Sequence, residues 1–261
     1  MNKEEISFSF GQNWHDYATS ISEDEYKMAQ QDIENWLGSG KISGKSVVDI
    51  GSGSGIQSLG FYRLGARKVC SFDYDPKSVT TTRSLWESEG CPKAWVVTGG
   101  SVLDSSFLQE IGKFDIVYSW GVLHHTGAMW DAIRNACGLV LSGGILFLAL
   151  YAEGPRYSSH LALKRKFNKK SKFGKKMMVY RWIANIMLGR LLKFQNPLTW
   201  NEKNSRGMNV YHDIVDWLGG LPYEVAAEDE VVVFCRKLGF ILERIKVKSE
   251  GACSIYVFSL P

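Results

Sequence analysis

Val47-Val48-Asp49-Ile50-Gly51-Ser52-Gly53-Ser54-Gly55 runs an apolar strand into three closely spaced glycines, and Asp73 closes a second apolar run, 68–72, eighteen residues after Gly55. A turn without side chains lets a ligand lie against main-chain N–H groups at a helix N-terminus, and an acid ending the next strand accepts hydrogen bonds from a ribose diol. Together they point to a nucleoside cofactor. The G-x-G-x-G spacing departs from the G-x-G-x-x-G of dinucleotide folds, and Asp49 stands two residues ahead of it. An acid in that place repels a diphosphate and suits a cationic ligand.

A second set of residues is suited to moving protons. His124 and His125 are two of five histidines and follow the apolar run 114–119. Imidazole titrates near neutrality, as a base working on a hydroxyl or amine requires. Adjacent loop residues point apart, so at most one of the two faces a substrate, and capping a helix or bonding the backbone is the competing role. In the polar, aromatic stretch 206–224, His212 with Asp213 or Asp216 forms a candidate base with its orienting carboxylate, against a helix-capping role for Asp213. Phe8, Phe10, Trp14 and Tyr17 surround Gly11-Gln12-Asn13, a density suited to covering a ligand or to packing; Trp120 is likewise a pocket wall or core.

These motifs resemble those of the class I S-adenosylmethionine-dependent methyltransferases, whose first motif carries the same acid and glycines and whose second strand ends in a ribose-holding acid. The resemblance continues in Phe114-Asp115-Ile116-Val117-Tyr118-Ser119-Trp120-Gly121-Val122-Leu123-His124-His125-Thr126-Gly127, similar to the family's fourth strand and loop. Leu141-Ser142-Gly143-Gly144-Ile145-Leu146-Phe147 is similar to the glycine turn before its fifth strand, and Gly100-Ser101-Val102-Leu103-Asp104 to its adenine-contacting loop. The resemblance implies a cofactor set of Asp49, Gly51, Ser52, Gly53, Gly55, Asp73, Tyr74, Ser101, Val102, Ser119 and Trp120, with S-adenosyl-L-methionine as cofactor and S-adenosyl-L-homocysteine as product. It implies methyl transfer to an oxygen or nitrogen of a small acceptor, such as a sugar, lipid-linked compound or secondary metabolite. The alternatives are an RNA-modifying enzyme and a non-catalytic cofactor-binding module. An Asn-Pro-Pro-Tyr or Asp-Pro-Pro-Tyr turn is absent after the fourth strand, which disfavours DNA adenine methylation.

The elements that must position these residues alternate short apolar runs with helical patterns over 47–151, the signature of a parallel sheet wound by helices on both faces. Strands are expected at 46–50, 68–72, 94–98, 114–119 and 145–151, and helices at 55–64, 76–88 and 127–141, with Pro76 in a first helical turn. Ser22-x-x-Glu25 is a capping box for a preceding helix. A helix at 228–238 and strands at 240–247 and 254–259 follow. The expected fold is α/β: a Rossmann-like doubly wound seven-stranded sheet, mostly parallel with an antiparallel last strand, and a basic helical insertion after strand five. It forms a single domain, with a helical, aromatic cover at 1–40, a cofactor-binding core at 41–152, an insertion and acceptor cap at 153–225, and closing elements at 226–261.

Composition bounds the rest. With 261 residues and 45% hydrophobic content the chain can bury one substantial core. No leader pattern opens it and no apolar run approaches the roughly 20 residues that cross a bilayer, so a cytoplasmic protein is expected. Its five cysteines are widely spaced without a C-x-x-C pair, so neither zinc nor a disulfide framework is signalled and no metal is expected. The net charge of +4 conceals fourteen Lys or Arg against two Glu over 153–208. Within it Val179, Trp182, Ile183, Ile186 and Met187 share a helical face. The segment reads as a packed amphipathic helix beside a solvated charge run, or as a substrate lid or a patch for anionic lipid or nucleic-acid phosphates.

Overall fold

The computed structural model describes residues 8–18, 21–201 and 210–261. Arg206, Gly207, Met208 and Asn209 of the polar stretch, and the first seven residues, lie outside them. In chain order come α1 (Phe10–Ala18), α2 (Glu23–Leu37), β1 (Ser46–Ile50), α3 (Ile56–Arg63), β2 (Lys68–Asp73), α4 (Pro76–Ser88), β3 (Trp95–Gly99), α5 (Ser105–Ile111), β4 (Phe114–Trp120), α6 (Met129–Gly138) and β5 (Val140–Tyr151). Then follow α7 (Tyr157–Asn168), α8 (Lys172–Leu192), α9 (Val210–Gly219), α10 (Glu228–Lys237), β6 (Ile241–Lys246) and β7 (Cys253–Ser259).

The seven strands form one sheet in the order β3-β2-β1-β4-β5-β7-β6. β1 to β5 are parallel, while β7 enters antiparallel between β5 and β6. β1 is an inner strand and every residue of it is buried, which is why Val47, Val48 and Ile50 put apolar side chains on both of its faces. From β1 the chain winds outward to β2 and β3, then crosses back to β4, so the carboxyl ends of β1 and β4 part at a topological switch point. Two apolar layers cover the faces of the sheet, one holding Phe72, Leu123 and Ile133 and the other Ile33, Phe61 and Tyr118.

Local chemistry explains several boundaries. Glu25 accepts a hydrogen bond from the Ser22 amide at 2.8 Å, the capping box that starts α2. Asp75 caps α4 and Pro76 fills its first turn. Two short helices lie outside the expected set: α5, started by the Asp104 carboxylate, and α1, where Phe10, Trp14 and Tyr17 recur at i, i+4 and i+7 within only nine residues.

The fifth strand departs from expectation. Rather than beginning after the 141–144 turn it begins at Val140, and its register with β4 jumps from Phe114↔Val140 to Ile116↔Ile145. The glycines are an irregularity within the strand, with the Gly143 amide donating to Leu260 O at 2.7 Å. After β5, helices α7 to α9 build a small core of their own from Phe167, Val179, Ile183, Ile214 and Leu218.

Candidate active site

At the switch point, Gly51 and Ser52 donate their amides to Phe72 O at 2.8 and 3.1 Å, so the glycine turn is laced to the end of β2. Gly51 has φ +75, and a Cβ there would stand 2.4 Å from Val122 Cγ2, so only glycine allows the turn and the β4 loop to approach. Asp73, ending β2, accepts the Gly53 amide at 3.0 Å on Oδ2 and the Asp75 amide at 2.8 Å on Oδ1. Burial pushes its carboxyl up to about 6, partly opposed by the two amides. Each oxygen keeps a lone pair for a hydroxyl donor.

Asp49 lies beneath this turn. Its carboxylate accepts from Ser58 Oγ, which accepts from Ser71 Oγ at 2.6 Å, which accepts from Trp95 Nε1 at 2.7 Å. Burial pushes Asp49 up to about 7, opposed by the Ser58 bond and reinforced by the charge of Asp73. The ionised form is therefore costly unless positive charge comes near.

Gly51 and Asp73 border a cavity of about 650 Å³, within the range of small-ligand sites. The N-terminal segment roofs it. Asp75 accepts the Gly11 amide at 2.9 Å, which ties α1 to α4, and the Phe8 amide donates to Leu221 O at 3.2 Å. Phe8, Phe10 and Trp14 line the space beneath, while Tyr17 is buried away from it.

Gly51, Asp73, Tyr74, Ser101, Val102, Trp120 and His125 all line the cavity, brought together from four strand ends. Ser52, Gly53 and Gly55 shape the turn behind it, and Asp49 and Ser119 are buried behind it. The other candidate bases lie elsewhere. His124 is fully buried and accepts the Tyr151 amide on Nδ1 at 3.3 Å, so it packs β4 against β5. His212 Nδ1 bonds Asn13 Oδ1 at 2.8 Å, an amide rather than the carboxylate expected of a dyad. Asp213 sits in the first turn of α9, whereas Asp216, one turn on, lines the cavity.

His125 occupies the wall facing the roof. Its Nδ1 donates to Pro222 O at 2.6 Å, leaving the lone pair on Nε2, which is buried with no hydrogen-bond partner. Burial, with the positive charge of Lys164, pushes the imidazole down to about 3 despite the Pro222 bond. Nε2 lies under Gly220, where a Cβ would come within 3.1 Å, so a donor reaches it only if the 219–222 turn gives way. Lys164 is itself fully buried, bonded to Trp217 O, and packed by Tyr151, Trp217 and Tyr223 with its Nζ 5.4, 4.5 and 4.6 Å from their ring centres.

Sequence reasoning missed Lys164, Pro222 and the Ser58–Ser71–Trp95 chain. Only the Gly-Gly-Leu-Pro turn gave a local signal, as a sharp bend. The other partners are ordinary residues joined across the fold.

Residues 48–148 match a family model described as a methyltransferase domain. Residues 48–148 are therefore a methyltransferase domain.

Among similar proteins, a ribosomal protein L11 methyltransferase of Macrococcus caseolyticus is 31% identical over 106 residues, 40% of this chain and 33% of that one. A ubiquinone biosynthesis O-methyltransferase of a Methylobacterium species is 33% identical over 113 residues, 43% of each. The chain thus spans less than half the length of these curated relatives. Among solved structures, magnesium protoporphyrin IX methyltransferase from Synechocystis has a TM-score of 0.55 at 16% identity, covering 90% of this chain and 83% of that one. A methyltransferase in complex with the Trm112 activator of Haloferax volcanii has a TM-score of 0.57 at 12% identity, covering 96% and 95%.

The residues fit S-adenosylmethionine on their own chemistry. Asp73 offers two oxygens to a ribose diol, the glycine turn leaves room for close approach, and the buried Asp49 favours a cation over a diphosphate.

Proposed function

We propose that this protein transfers a methyl group from S-adenosylmethionine to a hydroxyl of a small, largely apolar acceptor. The observation that carries the reading is Asp73, held by the amides of Gly53 and Asp75 on the floor of a roofed cavity that also reaches the bare base of His125. When bound, the cofactor supplies an activated methyl on a good leaving group. What the chain must add is alignment, exclusion of water and a destination for one proton.

Asp73 orients the nucleoside, and Phe8, Phe10 and Trp14 exclude water from above. His125 receives the acceptor's proton on Nε2 once the 219–222 turn admits the hydroxyl, which relieves an unpartnered acceptor that otherwise costs about 1–3 kcal/mol. A base near 3 suffices for an alcohol, because the oxygen becomes strongly acidic as it gains the methyl. It does not suffice for an ammonium, whose ordinary pKa near 10 lies about seven powers of ten higher. Of the two expected acceptor atoms, oxygen and nitrogen, this favours oxygen.

An RNA acceptor is the second reading, supported by the basic insertion. The aromatic roof favours a compact acceptor instead. Calorimetric titration with S-adenosylhomocysteine, with NAD in parallel, tests the cofactor: micromolar binding of the first alone supports the reading, and binding of NAD alone overturns it. A screen of phenols and alcohols against amines and short RNAs, read by methyl incorporation, then tests the acceptor.

A further inference from the structure

α8 is apolar on two faces. Its inward face packs Val179 and Ile183 against Ile214 and Leu218 of α9 and Phe167 of α7. The helix therefore has its packing partners, and a second row remains outside. Phe173, Met177, Tyr180, Leu188 and Leu191 are each more than half exposed, and Ala184 completes their spacing. At 100° per residue these six positions fall within about an 80° arc and run about 27 Å along the helix. Phe194 and Leu198, just beyond its end, are also exposed.

Lys176 and Arg181 project on either side of this stripe, and both are exposed. From 154 to 201 the chain carries twelve Lys or Arg and no Asp or Glu. Four of these cations, Arg165, Lys166, Lys169 and Lys170, line a groove at the end of α7.

We infer that the α7–α8 hairpin is a docking surface for an anionic lipid bilayer, with α8 lying in the plane of the interface. Its apolar stripe enters the headgroup boundary while the flanking cations reach lipid phosphates along their flexible stems. Charge and apolarity together select this occupant. A second copy of the chain would bring another unbroken block of positive charge against the first. Nucleic-acid phosphates would satisfy the cations but leave leucines and phenylalanine in water. No helix of the described residues is long and apolar enough to cross a membrane, so the contact is peripheral. This inference stands apart from the proposed methyl transfer.

The test is flotation of the full chain with vesicles of phosphatidylcholine alone or mixed with phosphatidylglycerol. At least tenfold stronger partition into the anionic vesicles is expected. Met177→Asp with Leu188→Asp should reduce it at least tenfold, as should Lys176→Glu with Arg181→Glu, while circular dichroism and melting temperature remain those of the parent. Equal partition into both vesicles, or none, overturns the inference. Anionic binding that survives Met177→Asp with Leu188→Asp, accompanied by tight binding of poly(U), overturns it in favour of a polyanion surface. A dimer in sedimentation that those two substitutions dissociate, with no vesicle binding by the parent, overturns it in favour of self-association.

Discussion

Asp73 Oδ2 accepts the Gly53 amide at 3.0 Å, so the turn leaving β1 aims the acid that ends β2. Asp73→Asn retains the shape but places an NH2 where an acceptor is required. S-adenosylhomocysteine affinity is expected to fall about thirtyfold, the loss of about 2 kcal/mol for charged hydrogen bonds. In the parent, affinity should weaken as pH drops through about 6, where the carboxyl gains its proton, and the variant should lack that inflection. Titration calorimetry from pH 5 to 8 reads both.

His125→Ala should lower turnover by about 10²–10⁴ while leaving cofactor affinity within twofold, the pattern of a proton acceptor used in the chemical step. Because burial and Lys164 hold the imidazole near 3, the group stays neutral and its own titration produces no inflection near 6.5 in the rate profile. Unchanged turnover would return His125 to a packing role.

Gly220→Ala tests the same wall from the backbone side. Its Cβ would stand 2.6 Å from His125 Cε1 and 3.1 Å from Asp216 O, an overpacking worth about 1–3 kcal/mol of stability. Turnover should fall with it. In the double variant with His125→Ala the clash with the imidazole is gone and only the approach to Asp216 O remains, so the two effects on stability should fail to add. Thermal melts and single-turnover rates on all four proteins close the cycle.

Asp49→Asn should stabilise the ligand-free protein at pH 8. The folded carboxyl lies at about 7, above its unfolded value near 3.8. The stability linked to its proton is therefore fully present below about pH 4 and lost as pH rises through 7. Removing the charge recovers up to a few kcal/mol at pH 8, and the advantage should vanish near pH 4. The same variant should lose preference for cationic S-adenosylmethionine over neutral-sulfur S-adenosylhomocysteine. Melting curves across pH and the ratio of the two affinities measure these outcomes.

The central sheet was legible because its chemistry is local. A run such as Val47 to Ile50, with apolar residues on both faces and Asp49 the single exception, belongs to a strand covered on both sides, and glycines at 51, 53 and 55 announce a turn whatever lies elsewhere. Asp73 was legible for the same reason, as an acid at a strand end. The start of β5 was not, since the irregular pairing of 140–145 depends on β4 and on Leu260 at the far end of the chain.

The amino-acid sequence by itself determined the strand succession, the glycine turn, the acid that ends β2 and the candidate histidines, each encoded within a few residues of its neighbours. Tertiary structure alone shows which of those histidines lines the cavity. Pro222 lies 97 residues from His125, Asn13 lies 199 from His212, and Tyr151 lies 27 from His124, yet each contact sets which nitrogen is occupied. It also decided that α8 has a second, exposed apolar face, because periodicity finds apolar positions but only packing determines which of them are covered. Hydrogen-bond partners and burial are properties of neighbours in space, and a linear chain does not state them.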